Sequence, residues 1–299
     1  MVSSLAAPPH AQKPTECQDR VLLDLWHPIG AVSDLPPEGT WEDQLLGAGL
    51  QVQRTADGGF RVARQDRPEE PLPVLQRFSY LWTSLGTPRD LFDIPEAGEP
   101  DRRLLHAGSV MVHTSAGRGM ENFLDMGHFP FVHPGVLGDE PRTEVKDYTV
   151  TTSIEDQEIW ATECVFYQPQ AAMGSTGGAE VDYAYRVMHP NCAALFKSNP
   201  HHPDRFDTVA LFIQPLDEEH IRAHMWLCLL DDESPDWALR RFQVEIFGHD
   251  KPILENQLPR RLPLDPRAET PIRADKTGVS YRRMLSQLGV RYGVIPGAV

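Results

Sequence analysis

Glu121 to Gly138 reads ENFLDMGHFPFVHPGVLG, and the interpretation of the whole chain turns on it. The stretch holds Asn122, Asp125, His128 and His133. Met120 to His128 has helical character, and Pro130 and Pro134 should end the helix. Asp125 and His128, three apart, would share one helical face. His133 follows His128 by five, too far round for that face of a regular helix. A break at the prolines could turn both imidazoles to a common point. Two histidines with a carboxylate from elsewhere make the facial set of a mononuclear non-haem Fe(II) site, which leaves coordination positions open. Spacing alone favours two ordinary histidines, satisfied or solvated, so the rest of the sequence must decide.

Working outward, long β-like runs follow: Tyr148 to Tyr167, Val181 to Lys197, Thr208 to Leu216 and Ile221 to Leu230. Turn-rich segments such as Met173 to Gly178 and Pro215 to Glu218 join them. Asp236 to Gln257, with Ser234-Pro235 at its start, reads as a long helix, and Gly278 to Leu288 as a second. Strands followed by helices predict an α+β fold, an antiparallel sheet with helices on one face. Upstream, residues 17–86 read as short β segments. Leu45 to Arg54 alternates, Asp57-Gly58-Gly59 makes a hairpin turn, and Phe60 to Arg64 returns. Arg67 to Pro73 reads as a Pro-rich connector and Gln76 to Leu85 as one strand. The domains predicted are a mobile tail over 1–16, a β domain over 17–103 and a catalytic domain over 104–299, with 87–103 as the boundary.

Composition narrows the function. The 299 residues hold 43 acidic and 28 basic side chains, a formal net charge of −15. That balance excludes a non-specific phosphate-backbone binder and docking on anionic lipid. No run approaches the roughly 18 apolar residues of a membrane span. Cys17, Cys164, Cys192 and Cys228 are scattered and mostly apolar-flanked, which predicts buried, reduced thiols and a cytoplasmic location.

Two further blocks match the first. They are Phe247 to Gln257, FGHDKPILENQ, and Ala274 to Arg283, ADKTGVSYRR. Together the three resemble the catalytic domain of Rieske-type non-haem iron oxygenases, whose signature Glu-Asn-x-x-Asp-x-x-His-x(4)-His stands here as Glu121, Asn122, Asp125, His128 and His133. The resemblance spans about 20 to 290 and is closest to the demethylating monooxygenases. It implies a helix-grip catalytic domain with Fe(2+) held by His128, His133 and Asp250. It implies that Asp125 bridges a ligand histidine to the electron-donating cluster of a neighbouring subunit, with Asn122 beside it in the catalytic set. On the helix of Asp250, Leu254 and Gln257 share its face and are the expected substrate contacts.

The resemblance also exposes a gap. The family's N-terminal 2Fe-2S cluster needs a Cys-x-His and a Cys-x-x-His pair. None of the four cysteines has either partner. Leu45 to Ala63 and Leu72 to Gly86 resemble the opening and closing strands of that domain, with Arg64 to Pro71 closing the gap. The resemblance therefore implies a degenerate Rieske-like domain without a cluster. Electrons would come from a Rieske-containing reductase using NAD(P)H, together with a Rieske-containing homologous demethylase subunit. Cluster-less demethylases of this kind act in bacterial caffeine degradation. The implied reaction is oxidative N-demethylation of a methylxanthine, 7-methylxanthine plus O2 giving xanthine and formaldehyde. Two alternatives are an O-demethylase or ring hydroxylase of an aromatic acid, with Arg186 or Arg222 meeting the carboxylate, and an idle structural subunit of a mixed oligomer. His106, His113, His201, His202 and His249 read as surface or supporting histidines.

Overall fold

The alternating runs become strands, and their register decides which side chains meet. The computed structural model describes residues 14–170, 177–199, 201–231 and 233–297, so most of the Met173–Gly178 turn and most of the expected tail lie outside the described residues. The upstream segment forms a short helix α1 (Arg20–Leu23) and strands β1 (His27–Ala31), β2 (Thr40–Leu45), β3 (Ala48–Arg54), β4 (Phe60–Arg64), β5 (Arg67–Pro71), β6 (Val74–Arg77) and β7 (Tyr80–Thr83). These make a four-stranded sheet β2-β3-β4-β5 and a three-stranded sheet β1-β7-β6.

Several upstream expectations change. The Leu45–Arg54 run is split by a Leu46-Gly47 turn, φ +51° and +82°. Arg67 to Pro73 is not a connector: β5 pairs back on β4 across the Gln65-Asp66 turn. The Gln76–Leu85 run also splits, because Phe78 and Ser79 stand at φ +53° and +66° and reverse the chain. Two left-handed central residues suit the twist of a two-residue hairpin. Their cost, about 1–2 kcal/mol per residue, is offset by burying the Phe78 ring, which stacks on Phe92 at 5.8 Å.

Downstream, β8 (Arg103–Val112), β9 (Thr149–Ser153), β10 (Glu158–Gln168), β11 (Ala179–His189), β12 (Cys192–Asn199), β13 (His202–Pro215) and β14 (Ile221–Leu229) form one antiparallel sheet, order β8-β14-β13-β12-β11-β10-β9. Period-two alternation sends Leu211, Ile213, Met225 and Leu227 to one face. It sends Phe212, Trp226, Cys192 and Ala194 to the other. The first face is gripped by α2 (Ala116–Leu124), the long α4 (Asp236–Asn256) and α5 (Lys276–Gln287). The α+β expectation, helices on one face of an antiparallel sheet, therefore describes the fold.

The second face is covered by Phe78, Tyr80 and Trp82 from the upstream strands and by Leu91 and Ile94. Leu91 and Ile94, from the stretch expected as a boundary, are thus packed into a core shared with the seven-stranded sheet. At the N-terminal side, Cys17 donates its backbone N–H to Leu46 (2.9 Å), and the Thr15 carbonyl accepts from the Tyr292 hydroxyl (3.0 Å). Among the described residues no helix is long and apolar enough to cross a membrane.

One buried ion network fixes the helices around the site. Arg118, fully buried on α2, donates to Glu269 (2.6 Å) and to the Pro259 carbonyl (3.1 Å). Arg282 of α5 pairs with Glu121 and Glu269. Burial raises the Glu269 pKa, but the two guanidinium groups outweigh it and hold the carboxyl at about 2. A depressed carboxyl stabilises the fold above its unfolded pKa of roughly 4.3, and that contribution is lost as pH falls toward 2. Arg118→Met leaves Glu121 and Glu269 to share Arg282 alone, and urea titration should show a loss of about 3 kcal/mol. Glu269→Gln should flatten the acid limb of stability against pH.

Candidate metal centre

Ser115 caps α2, its hydroxyl accepting the Arg118 N–H (3.4 Å), and the helix stops at Leu124. Asp125 lies beyond it in extended conformation, φ −92° and ψ 130°. The expected shared helical face of Asp125 and His128 is therefore absent. Instead the Asp125 carboxylate accepts the N–H groups of Gly127 (2.7 Å) and His128 (3.2 Å) and meets His128 Nδ1 at 3.0 Å. A carboxylate two or three residues before free N–H groups makes this turn locally favourable. One short helical turn, α3 (Phe129–Val132), follows, with Pro130 in its first turn. His128 precedes it and His133 ends it, which brings both imidazoles to one side.

Asp250 comes from α4 and is buried, as is His133. His128 Nε2 and His133 Nε2 are 3.2 Å apart, and Asp250 Oδ1 lies 3.4 Å from the first and 3.1 Å from the second. Three lone-pair donors so close repel one another unless a cation or protons lie between them. The nearly equilateral triangle and the donor set of two imidazoles and one carboxylate fit a first-row divalent ion bound facially. The electrostatics agree. Burial lowers the His128 pKa, yet Asp125 and Asp250 overcome it and push it up to about 9. Burial raises that of Asp250, yet the two histidines bring it down to about 2. The site draws in positive charge.

The outer atoms are held too. Asn122 Nδ2 donates to Asp250 Oδ1 (3.3 Å), and His133 Nδ1 stands 3.4 Å from His249 Nδ1. Such contacts orient ligands. The His249 contact joins neighbouring segments that sequence spacing alone does not connect.

A cavity of about 130 Å³ opens from the triangle. Its walls are Phe129, Leu137, Leu195, Leu211, Ile246 and Phe247, with Gln168, Lys197 and Gln243 among its polar lining. It lies toward the N-terminal half of α4. The substrate expectation took the opposite direction along the helix. Leu254 is 1% exposed in the core, and Gln257 lines a separate groove beside Asp125. Side chains on a helix lean toward its N-terminus, so positions before Asp250 face the cavity. Neither arginine proposed for an aromatic acid reaches it: Arg186 pairs with Glu158 and Arg222 with Asp43 (2.9 Å). His106 is held by Tyr80 and Asp34, His113 stacks on His220, and exposed His201 and His202 line an outer cavity. The four cysteines are buried and unpaired among the described residues.

Known proteins share this architecture. Residues 112–291 match the family model described as the vanillate O-demethylase oxygenase C-terminal domain. A probable methylxanthine N7-demethylase, NdmC, of Pseudomonas sp. (strain TJI-51) is 42% identical over 281 residues, 94% of this chain and 99% of that protein. The methylxanthine N3-demethylase NdmB of Pseudomonas putida is 28% identical over 222 residues, 72% of this chain and 59% of that protein. Among solved structures, NdmA of Pseudomonas putida CBB5 with caffeine superposes with TM-score 0.74 at 19% identity, covering 90% of this chain and 92% of that one. Dicamba monooxygenase bound to 3,6-dichlorosalicylic acid gives 0.72 at 16%, covering 89% and 97%. These likenesses show the fold, while the family match and the 42% relative carry the assignment. The chain belongs to the vanillate O-demethylase oxygenase C-terminal domain family, the catalytic domains of Rieske-type non-haem iron oxygenases.

Proposed function

We propose that this chain is the iron-bearing oxygenase subunit of a methylxanthine N-demethylase, that it removes the N7 methyl group, and that a separate Rieske-containing partner supplies its electrons. The observation that carries the reading is the His128, His133 and Asp250 triangle at the end of a narrow apolar cavity, in a chain 42% identical to a probable N7-demethylase. His128, His133 and Asp250 would hold Fe(2+), which would supply O2 activation; overall, O2, two electrons and two protons convert the N-methyl group to N–CH2OH and one water. The resulting N–CH2OH loses formaldehyde and leaves N–H.

The chain's own residues do the positioning. Asp125 fixes the His128 ring, and Asn122 holds the Asp250 oxygen. Phe129 and Phe247 limit water around the methyl group. Asp125 also lines a groove with Glu269 and Asp275, where a partner's cluster would approach.

A cluster-less chain fits the cysteine chemistry. Cys17, Cys164, Cys192 and Cys228 are buried and unpaired among the described residues, and none begins the Cys-x-His or Cys-x-x-His pair that a Rieske cluster needs. The purified chain, loaded with Fe(2+), should be nearly colourless and lack the Rieske electron-paramagnetic-resonance signal. It should release formaldehyde from 7-methylxanthine only when a reduced Rieske-containing donor is added. A stoichiometric cluster signal from the isolated chain would overturn the donor requirement.

A further inference from the structure

The iron cavity has one polar wall that the demethylation chemistry does not use. Tyr183 of β11 and Lys197 of β12 are direct register partners and line the cavity from the sheet. The Tyr183 hydroxyl is buried with no hydrogen-bond partner, and so is that of Tyr185, two residues on along the same face. The ammonium of half-buried Lys197 has no hydrogen bond or salt bridge among the described residues, and desolvation draws its pKa down to about 8 against the pull of Asp207. The two buried hydroxyls without a partner carry a free-energy cost that a hydrogen-bonding ligand would relieve. Lys197 also lines an outer cavity of about 380 Å³, together with Gln243, so it stands where the two spaces meet.

We propose that Lys197, with the Tyr183 hydroxyl beside it, is the specificity-determining edge of the cavity and donates hydrogen bonds to a ring carbonyl of a flat oxo-purine. This rests on the methylxanthine reading above.

The test compares 7-methylxanthine with 7-methylpurine, which lacks the carbonyls, by equilibrium dialysis against Fe(2+)-loaded protein under argon. Wild type should prefer 7-methylxanthine by at least tenfold. Lys197→Met, which replaces a half-buried charge by an apolar chain of similar length, should keep its iron and lose that preference. With partner electrons its KM should rise tenfold or more and its kcat change less than threefold. Lys197→Arg should restore part of the preference. If Lys197→Met binds 7-methylxanthine as wild type does while wild type demethylates it, this inference fails alone. If wild type binds neither purine, or prefers vanillate, the substrate class fails and takes this inference with it.

Discussion

Asp250→Ala should leave the chain folded and without its metal. Alanine is the best helix former, so α4 survives the change. What is lost is the anionic corner of the triangle, 3.1 Å from His133 Nε2 and 3.4 Å from His128 Nε2. Without it the two imidazoles share a proton instead of a divalent ion. Iron affinity should fall on the order of a hundredfold or more, read by metal analysis after dialysis, while circular dichroism stays unchanged. His128→Ala and His133→Ala should do the same. Gln257→Ala, at the end of the same helix but outside the cavity, should keep its iron. Wild-type iron content in the Asp250 variant would remove these three residues from the metal site.

The second large effect separates holding iron from receiving electrons. In Asp125→Asn the oxygen that accepts the Gly127 N–H remains and holds the turn, although the His128 N–H loses its acceptor. The other oxygen, 3.0 Å from His128 Nδ1, becomes an NH2 group that cannot accept the ring proton. Iron and substrate binding should change little. Turnover with electrons from a Rieske partner should fall by about a hundredfold, because the charged link toward the partner's cluster is gone. A peroxide-driven reaction, which needs no cluster, should fall by only a few-fold. Equal losses in both assays would make Asp125 a support of the iron site rather than part of the electron path.

Much of this was legible in the sequence because the deciding signals are local. The seven-stranded sheet follows from period-two alternation in residues such as Ala210 to Ile213, which sort cleanly onto two faces. The helix bearing Asp250 follows from its length and the proline before it. Other features depend on contacts that spacing does not encode. Phe78 and Ser79 accept left-handed backbone only because the aromatic core behind the sheet holds the Phe78 ring. Asp125 reaches His128 through a turn, not along a helix. The cavity faces Ile246 and Phe247 rather than Leu254, since the direction a helix points relative to the sheet is a tertiary fact. Lys197 carried no sequence signal at all. A lysine in a strand reads as solvated until its neighbours are known.

The central claim is that an iron site in this chain demethylates a methylxanthine with electrons from another polypeptide. Its most direct measurement is a product count. Fe(2+)-loaded protein, O2, 7-methylxanthine and a separately purified, reduced Rieske-containing donor are mixed, and xanthine and formaldehyde are quantified together. The expected result is equal amounts of the two, many turnovers per iron, and none when either the donor or the iron is left out. An iron-replete protein that forms neither product, while the same donor drives a related demethylase in parallel, would contradict the account.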